Sequence, residues 1–237
     1  MFRCSVMPAV EAGDGLPRSY GGWPALVQVF ALVVAALALA GGAGAADGPV
    51  RIVALGDSLT AGLGLPANAA FPARLEQALK AKGMAVEISN AGVSGDTAVG
   101  GLARLDWSVP EGTEAVIVEL GANDTLRGID PKVTRQALEE IVRRLRGRGI
   151  AVLLAGMRAA PNLGPDYARD FEAIYSDLAA RNDLLLYPFF LDGVATDAKL
   201  NQRDGLHPTA AGVDAIVARI LPKAEELVAR ARGKRGM

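Results

Sequence analysis

The sequence predicts an α/β fold in which helices cover both faces of one five-stranded parallel sheet. Short, mostly apolar runs recur from Val50 onward, and amphipathic segments of helical period separate them. No internal repeat and no interdomain linker interrupts this alternation. Because parallel strands are joined by long crossovers, usually helices, the alternation favours right-handed βαβ units in a doubly wound sheet. The chain has 237 residues, 51% of them hydrophobic, which is enough to bury the core of one domain.

The beginning of the chain has the composition of an export signal. Residues 1–24 are rich in Gly and Pro, and an apolar run interrupted only by Gln28 follows from Ala25 to Ala40. Small residues come next, and Ala43-Gly44-Ala45 fits the A-x-A pattern that signal peptidase cleaves. The pattern therefore predicts export to the periplasm or secretion.

This leader sets the expected domain boundaries. We expect residues 1–45 to be the export signal and residues 46–237 to be a single domain, with its core at about 50–221. An uncleaved N-terminal membrane anchor is the alternative, because Trp23 to Ala46 reaches the ~20 residues that span a bilayer. Much of that length is Ala and Gly, which are weakly hydrophobic, so we favour the cleaved signal.

The predicted strands are short and mostly apolar, as expected of strands that are covered on both faces of a parallel sheet. They are Arg51–Leu55, Ala85–Ser89, Ala115–Leu120, Ile150–Ala155 and Leu184–Tyr187.

The predicted helices lie between and after these strands. The first two begin at proline, Pro72 and Pro131, and are followed by glycine. The third has aromatic residues at helical spacing from Tyr167 to Leu178, which indicates core packing rather than a cofactor site. The last begins at Pro208, and we expect Pro222 to interrupt or kink it.

Composition excludes several classes of function. The formal net charge of −1 leaves no electrostatic footprint for nucleic acid, and we expect the basic tail Arg230–Arg235 to be a solvated, frayed end. The only cysteine, Cys4, lies in the leader, so the predicted domain has no disulfide, thiol nucleophile or thiolate metal site. His207 is the only histidine, which excludes His-rich zinc sites and leaves one imidazole for general-base chemistry.

Polar turns follow several of the predicted strands at their carboxyl ends. In a parallel sheet these ends lie along one rim. Gly56-Asp57-Ser58 follows the first strand, Asn90 to Asp96 follows the second, and Glu119 to Asp124 ends the third. The stretch from Asp204 to Pro208 can reach the same rim from the loop after the fifth strand. The sequence therefore predicts that four polar turns face one crevice.

These turns contain the groups that acyl transfer requires, which are a nucleophile, a base, a group that orients the base, and donors for an oxyanion. Ser58 offers the hydroxyl, His207 is the candidate base, and Asp204 can bond the ring nitrogen that faces away from serine. The Gly92 N–H, the Asn123 amide and the Ser58 N–H can together form an oxyanion hole.

Each group also has a purely structural interpretation. Ser58 can cap a turn, His207 can be a surface histidine before a proline, and Asn123-Asp124 can be an ordinary turn. Ser94 is a rival nucleophile, although its surroundings lack the spacing of a G-x-S-x-G elbow. Asp57 is better interpreted as a turn-former than as an acid.

The order of the four turns resembles the sequence blocks of the SGNH, or GDSL-type, hydrolases, over about Val50 to Leu221. The matching stretches are Gly56-Asp57-Ser58-Leu59, Gly92 in its Gly-x-Ser-Gly setting, Gly121-Ala122-Asn123-Asp124 and Asp204-x-x-His207-Pro208. Within that family the chain looks most like the bacterial periplasmic thioesterase I, lysophospholipase and arylesterase group. The resemblance implies a flavodoxin-like three-layer α/β/α sandwich, a serine mechanism without metal or cofactor, and acyl ester or thioester substrates.

The resemblance also implies a role for each candidate residue. Ser58 is expected to be the nucleophile, with Asp204 and His207 completing a catalytic triad. Gly92 and Asn123 are expected to complete the oxyanion hole with the Ser58 N–H.

The substrate site is predicted more coarsely. We expect the acyl chain to lie along apolar residues near the rim, although burial in the core is the alternative for each of them; the candidates are Leu63, Leu65, Leu126, Met157 and Leu163. Thr125 stands where the resembled group often has glycine, and we expect it to narrow the entrance. The expected partner is a small-molecule acyl ester, thioester or lipid, handled by a monomer with at most transient membrane contact and no nucleic acid.

Two other functions stay open on the sequence. A carbohydrate O-deacetylase would use the same machinery with a polar, shallow cleft. A non-catalytic protein that binds phosphate or flavin is compatible with a flavodoxin-like fold alone. The presence of Ser58 and of the only histidine in complementary blocks speaks against the binding protein.

Overall fold

The computed structural model describes residues 48–235. The predicted export signal, residues 1–45, lies outside the described residues, so its cleavage and the alternative of an anchor stay predictions. Within 48–235, none of the helices combines the length and the apolar character that a membrane span requires.

One sheet of five parallel strands forms the centre of the fold, in the order β2-β1-β3-β4-β5. The strands are β1 (Val50–Gly56), β2 (Val86–Gly92), β3 (Ala115–Glu119), β4 (Ala151–Ala155) and β5 (Leu185–Tyr187). All five predicted strands are confirmed, and the register pairs Gly56 at the end of β1 with Gly92 at the end of β2. One expectation was wrong, because β2 is an edge strand whose residues after Val86 are exposed or half-buried.

Eight α-helices lie in the described part of the chain. They are α1 (Ser58–Ala61), α2 (Phe71–Ala81), α3 (Ala98–Ala103), α4 (Leu105–Ser108), α5 (Ala122–Leu126), α6 (Pro131–Gly147), α7 (Pro165–Asn182) and α8 (Ala210–Arg235), and 3₁₀ turns occur at Ala67–Ala69 and Pro161–Leu163. The four long helices were predicted. The short helices α1, α3, α4 and α5 were not, since none is long enough to show an apolar period.

The helices form two layers around the sheet. Helices α2 and α8 pack against each other on one face, and α3, α6 and α7 pack together on the other. This division follows from right-handed crossovers, because the chain runs from β1 toward one edge of the sheet and from β3 toward the opposite edge. The fold is therefore the predicted flavodoxin-like α/β/α sandwich.

The C-terminal helix corrects two expectations. Pro222 does not interrupt α8, which continues to Arg235, and a kink at Pro222 stays a prediction. A proline inside a helix costs ~3 kcal/mol, and buried residues such as Leu227, beyond the proline, offset that cost by packing on the core. The basic tail is not a frayed end, because Arg230 donates to the Asp183 carbonyl and Arg235 pairs with Glu114.

Candidate active site

The predicted polar turns come together at the point where the strand order reverses. Ser58 begins α1 directly after β1, Gly92 ends β2, and Asn123 lies in α5 after β3. The crossovers from β1 and from β3 run toward opposite edges of the sheet, so a crevice opens beyond their carboxyl ends. This crevice is the site that the sheet topology favours for a ligand.

Local contacts hold Ser58 at the first position of α1. Asp57 is the N-cap, and its carboxylate accepts a hydrogen bond from the Leu59 N–H at 3.0 Å. The Asp57 carbonyl accepts from the Ala61 N–H at 2.9 Å and so closes the first turn. Ser58 is 8% exposed, with its hydroxyl at the crevice.

Ser58, His207 and Asp204 form a continuous chain of hydrogen bonds. The Ser58 Oγ atom lies 2.9 Å from His207 Nε2, although 149 positions separate the two residues. On the other side of the ring, His207 Nδ1 lies 2.7 Å from Asp204 Oδ2. The structure thus brings together the three residues that the sequence predicted for a triad.

The charge of Asp204 determines the direction of these bonds. The His207 backbone N–H lowers the pKa of Asp204 to about 2, and the Leu206 N–H and the imidazole ring act in the same direction. The ionised carboxylate can only accept, so His207 Nδ1 carries the proton that faces it. His207 Nε2 is then free to accept the proton of the Ser58 hydroxyl.

Main-chain bonds close the loop that carries Asp204 and His207. Asn201 and Pro208 form an isolated antiparallel bridge, and the Gln202 N–H donates to the His207 carbonyl at 2.7 Å. The Asn201 amide is buried and donates to the Val194 carbonyl at 2.6 Å, which ties this loop to the segment after β5. The loop is therefore held by contacts that do not involve Ser58.

The predicted donor Gly92 packs against the Ser58 loop. A Cβ atom at Gly92 would lie 2.6 Å from the Ala61 Cα and 2.8 Å from the Asp57 carbonyl oxygen, so only glycine fits. Its N–H donates to the Asn90 side-chain oxygen at 2.9 Å.

The predicted donor Asn123 is also bonded to protein groups. Its Nδ2 atom donates to Asp57 Oδ2 at 3.1 Å and to the Asp96 carbonyl at 2.9 Å. A primary amide has two N–H bonds, so both have acceptors here. An oxyanion at this point would take over or share one of these hydrogen bonds.

Two buried carboxyl groups lie beneath Ser58. Burial raises the pKa of Asp57 to about 6, against hydrogen bonds from Leu59 and Asn123 that lower it. Burial also raises the pKa of Glu119 well above its ordinary value, and the charge of Asp57 adds to this rise. The sequence predicts only a turn at Asp57 and no role for Glu119. An acid at the end of an otherwise apolar strand was the available signal.

Arg104 is a second buried residue whose role the sequence did not predict. It is 8% exposed and its guanidinium donates to the carboxylate of Asp96 at 2.6 Å and to the carbonyls of Gly56 and Ala91, each at 2.8 Å. These bonds join the ends of β1 and β2 to the loop that supports Asn123. The sequence predicted no element for the stretch that contains Arg104, and an arginine is ordinarily exposed.

A cavity of about 570 Å³ opens beside Ser58 and His207. Its walls are mostly apolar and include Leu126, Met157, Ala160, Phe189, Leu191 and Ala195. Leu126 and Met157 are among the predicted substrate residues. The segment after β5 was not predicted as a wall, because nothing local in Phe189 to Ala195 shows that it folds back over the crevice.

The other predicted substrate residues lie outside this lining. Leu63 is exposed, and its carbonyl accepts from the Gln202 side chain at 2.7 Å. Leu65 packs against the core, and Leu163 lies beside Gly128. The sequence predicted these three residues to lie near the rim, but their side chains do not line the cavity.

Thr125 lines the cavity and links its two walls. The side chain is buried, and its hydroxyl accepts from the Ala160 N–H at 2.7 Å. The loop after β4 is thereby attached to α5. Within 48–235, no group of three or more His, Cys, Asp or Glu side chains has an arrangement that could hold a metal ion.

Comparison with known proteins gives concordant matches. The sequence model of the GDSL-like lipase/acylhydrolase family matches residues 54–215. Esterase TesA of Pseudomonas aeruginosa is 38% identical over 178 residues, which cover 75% of this chain and 89% of that protein. Thioesterase 1/protease 1/lysophospholipase L1 of Escherichia coli K12 is 41% identical over 167 residues, covering 70% and 77%. The crystal structure of AlinE4, an SGNH-hydrolase family esterase, has a TM-score of 0.64 and 46% identity, covering 75% of this chain and 96% of that one.

Proposed function

This chain belongs to the GDSL-like lipase/acylhydrolase family and is a hydrolase of ester bonds, and we propose that it cleaves carboxylic esters and thioesters with Ser58 as the nucleophile. The observation that carries the proposal is the hydrogen-bonded chain from Ser58 through His207 to Asp204. Membership of a hydrolase family overturns the alternative of a non-catalytic binding protein.

The first half of the reaction forms an acyl-enzyme. Ser58 Oγ attacks the carbonyl carbon of the substrate while His207 Nε2 takes the hydroxyl proton. Asp204 keeps the ring oriented and stabilises the imidazolium that forms. His207 then gives its proton to the leaving alcohol or thiol, and the bond between the acyl carbon and the leaving oxygen or sulfur breaks.

The second half releases the acid. A water molecule attacks the acyl carbon as His207 accepts one of its protons. The acyl–Ser58 bond then breaks, and the proton returns to the serine oxygen. The enzyme is regenerated with no change in its oxidation or charge state.

The developing oxyanion needs donors close to Ser58. We assign this role to the Ser58 N–H, the Gly92 N–H and the Asn123 amide, whose loops meet at the nucleophile. One such donor is typically worth about 10²- to 10³-fold in rate. The hydrogen bond from Asn123 to Asp57 is the longer of its two, and we propose that the oxyanion shares the N–H that makes it.

The shape of the cavity favours acyl chains as the group that binds. Its mostly apolar walls suit a hydrocarbon chain better than the hydroxyls of an acetylated sugar, which supports the ester and thioester assignment over a carbohydrate O-deacetylase. Turnover of an acetylated sugar compared with that of a medium-chain acyl thioester tests this preference. Faster turnover of the sugar would contradict it.

The test of the nucleophile uses a matched pair of serine variants. We expect Ser58→Ala to lower kcat for p-nitrophenyl butyrate by about 10³-fold or more while the circular dichroism spectrum is unchanged. Ser94→Ala is the control, because Ser94 is exposed on the neighbouring loop, and we expect it to keep wild-type activity. A fluorophosphonate probe should label the wild type and not the Ser58 variant. Near-wild-type turnover by Ser58→Ala would refute the assignment.

We also propose that the enzyme is exported and acts as a monomer with at most transient membrane contact. The apolar run from Ala25 to Ala40 and the Ala43-Gly44-Ala45 site support export. The expected result is a secreted or periplasmic protein whose N-terminal residue is Ala46. A protein that keeps residues 1–45 would contradict cleavage, and size-exclusion chromatography tests the monomer.

A further inference from the structure

Glu119 is a buried acid for which the reaction above has no use. It ends β3, opposite Gly56 in the register with β1, and it is fully buried. Its Oε2 atom accepts from the Thr60 hydroxyl at 2.8 Å and from the Asp57 N–H at 3.4 Å. A Cβ at Gly56 would lie 2.7 Å from Oε2, so the carboxyl group packs directly under the strand end that precedes Ser58.

The contacts of Glu119 are too few for an ionised group. Its Oε1 atom is buried without a hydrogen-bond partner among the described residues. A buried carboxylate with so few donors takes up a proton rather than bear the cost of desolvation. The direction of the Glu119 pKa agrees, since burial and the charge of Asp57 both raise it. Burial and the unpartnered Oε1 atom therefore both favour the protonated form of Glu119.

Asp57 is the ionised member of the pair. Its Oδ1 accepts from the Leu59 N–H and its Oδ2 from the Asn123 amide. A group that accepts on both oxygens acts as a carboxylate. Its pKa of about 6 leaves it mostly ionised at pH 7. These contacts favour a pair that shares one proton, with the proton on Glu119.

We propose that Glu119 is a positioning residue for the oxyanion hole: its protonated carboxyl group donates to Asp57 and keeps Asp57 as the carboxylate that orients the Asn123 amide. The inference rests on the ester hydrolysis proposed above and extends it to a residue that does not touch the substrate. Asp57 directly precedes Ser58 in the chain. The hydrogen bond that Asp57 accepts from the Asn123 amide therefore holds that amide beside the loop that carries the nucleophile.

Other ionisable groups face this pair or its backbone from neighbouring elements; they are His207, Asp124, Tyr175 and Arg104. All four of these residues are retained in a Glu119→Gln variant. Glutamine is also neutral, can donate to Asp57 and can accept from Thr60. If Glu119 is neutral in the wild type, kcat of Glu119→Gln falls on the acid side at the same pH as kcat of the wild type. If Glu119 is ionised, the substitution removes a negative charge beside Asp57 and moves this acid limb of the pH profile to lower pH.

The experiment compares Glu119→Gln and Glu119→Ala with the wild type, using p-nitrophenyl butyrate between pH 5 and 9. We expect Glu119→Gln to keep kcat within about threefold and Glu119→Ala to lose about 10- to 100-fold in kcat, as expected for a misplaced catalytic group. KM should stay within about twofold in both, because Glu119 lies outside the cavity lining.

The matched control is Thr134→Val. This substitution removes the buried 2.8 Å hydrogen bond that the Thr134 hydroxyl donates to the Asp124 carboxylate. It leaves the hydrogen bonds of the Asn123 side chain intact. We expect a lower Tm and an unchanged kcat. Infrared difference spectroscopy gives a readout that needs no turnover: the carbonyl band of a protonated carboxyl group at pH 8 should be present in the wild type and absent in Glu119→Gln.

The outcomes separate this inference from the proposed function. Loss of kcat in Glu119→Gln as large as in Glu119→Ala, a shift of the acid limb by more than about one pH unit, or an unchanged infrared band overturns the positioning role alone. A wild-type chain that hydrolyses no ester overturns the proposed function and this role with it. If Glu119→Ala does not fold, the pH profile and infrared band of Glu119→Gln still decide.

Discussion

Arg104 offers the sharpest test of how the site is held together. Arg104→Met keeps much of the side-chain length and removes the guanidinium, which bonds to Asp96, to the Ser108 hydroxyl and to the carbonyls of Gly56 and Ala91. The ion pair is well shielded, with 9% of the Arg104 and 19% of the Asp96 side chain exposed. Breaking a buried pair by removing one partner costs about 3–5 kcal/mol.

This cost translates into a measurable change in Tm. For a domain of about 150–250 residues, 1 kcal/mol shifts Tm by about 2–4 °C, so we expect a fall of about 6–20 °C. Activity should fall as well, because the Asp96 carbonyl is one of the two acceptors of the Asn123 amide. A displacement of about 1 Å there costs up to about 10²-fold in kcat.

The assay is thermal unfolding by circular dichroism, followed by kcat for p-nitrophenyl butyrate at a temperature where the variant is folded. Arg135→Met is the matched control, because Arg135 makes a single 3.0 Å bond to Asp177 in a pair that is 25% and 42% exposed. Such a pair contributes about 1 kcal/mol or less, so its Tm should fall by only a few degrees. An Arg104→Met protein with the Tm and kcat of the wild type would refute the bracing role.

Three further predictions concern pH, the acyl site and the cavity wall. The pKa of Asp57 in the folded protein is about 6, above its ordinary value of 3.8. Protonation of Asp57 therefore stabilises the fold as pH falls from about 6 toward 4. The same protonation removes a hydrogen-bond acceptor from the Asn123 amide. We therefore expect kcat to fall in this window without a matching fall in Tm; parallel losses of both would contradict this. Leu126→Ala should raise KM for long-chain p-nitrophenyl esters several-fold more than for the acetate, because each CH₂ that loses its apolar contact costs ~0.8 kcal/mol. Leu63→Ala is the control, and it should not change KM in this way, because Leu63 lies outside the cavity lining. Thr125→Val keeps the volume and removes the acceptor of the loop after β4, so KM for long-chain esters should rise about fivefold with kcat unchanged; wild-type kinetics would show that this bond does not hold the wall.

Much of the fold follows from local pattern. The apolar runs predicted β1 to β5, and the 3.6-residue period predicted the four long helices, because each signal lies within one segment of the chain. The helix α1 escaped prediction for the same reason. It has four residues, and its N-cap Asp57 is identifiable only once the loop geometry is known.

Site residues divide in a similar way. Ser58, Asn123 and His207 could be named because they stand in turns after strands, and the carboxyl ends of parallel strands share one edge. Glu119 and Arg104 were not named, since charged residues are ordinarily exposed, although an acid at the end of an apolar strand was a signal for Glu119. Their partners come from strands and loops far away in the chain, and only folding brings them together.

The sequence by itself predicted the five parallel strands and the turns that carry the proposed reacting groups, because each of these signals lies within one short segment of the chain. Only the tertiary structure showed which carboxyl groups are buried together, which arginine bonds to the ends of β1 and β2, and which apolar residues line the cavity. The physical reason is that desolvation, ion pairing and cavity shape depend on distances between residues that are remote in sequence. Those distances exist only in the folded chain.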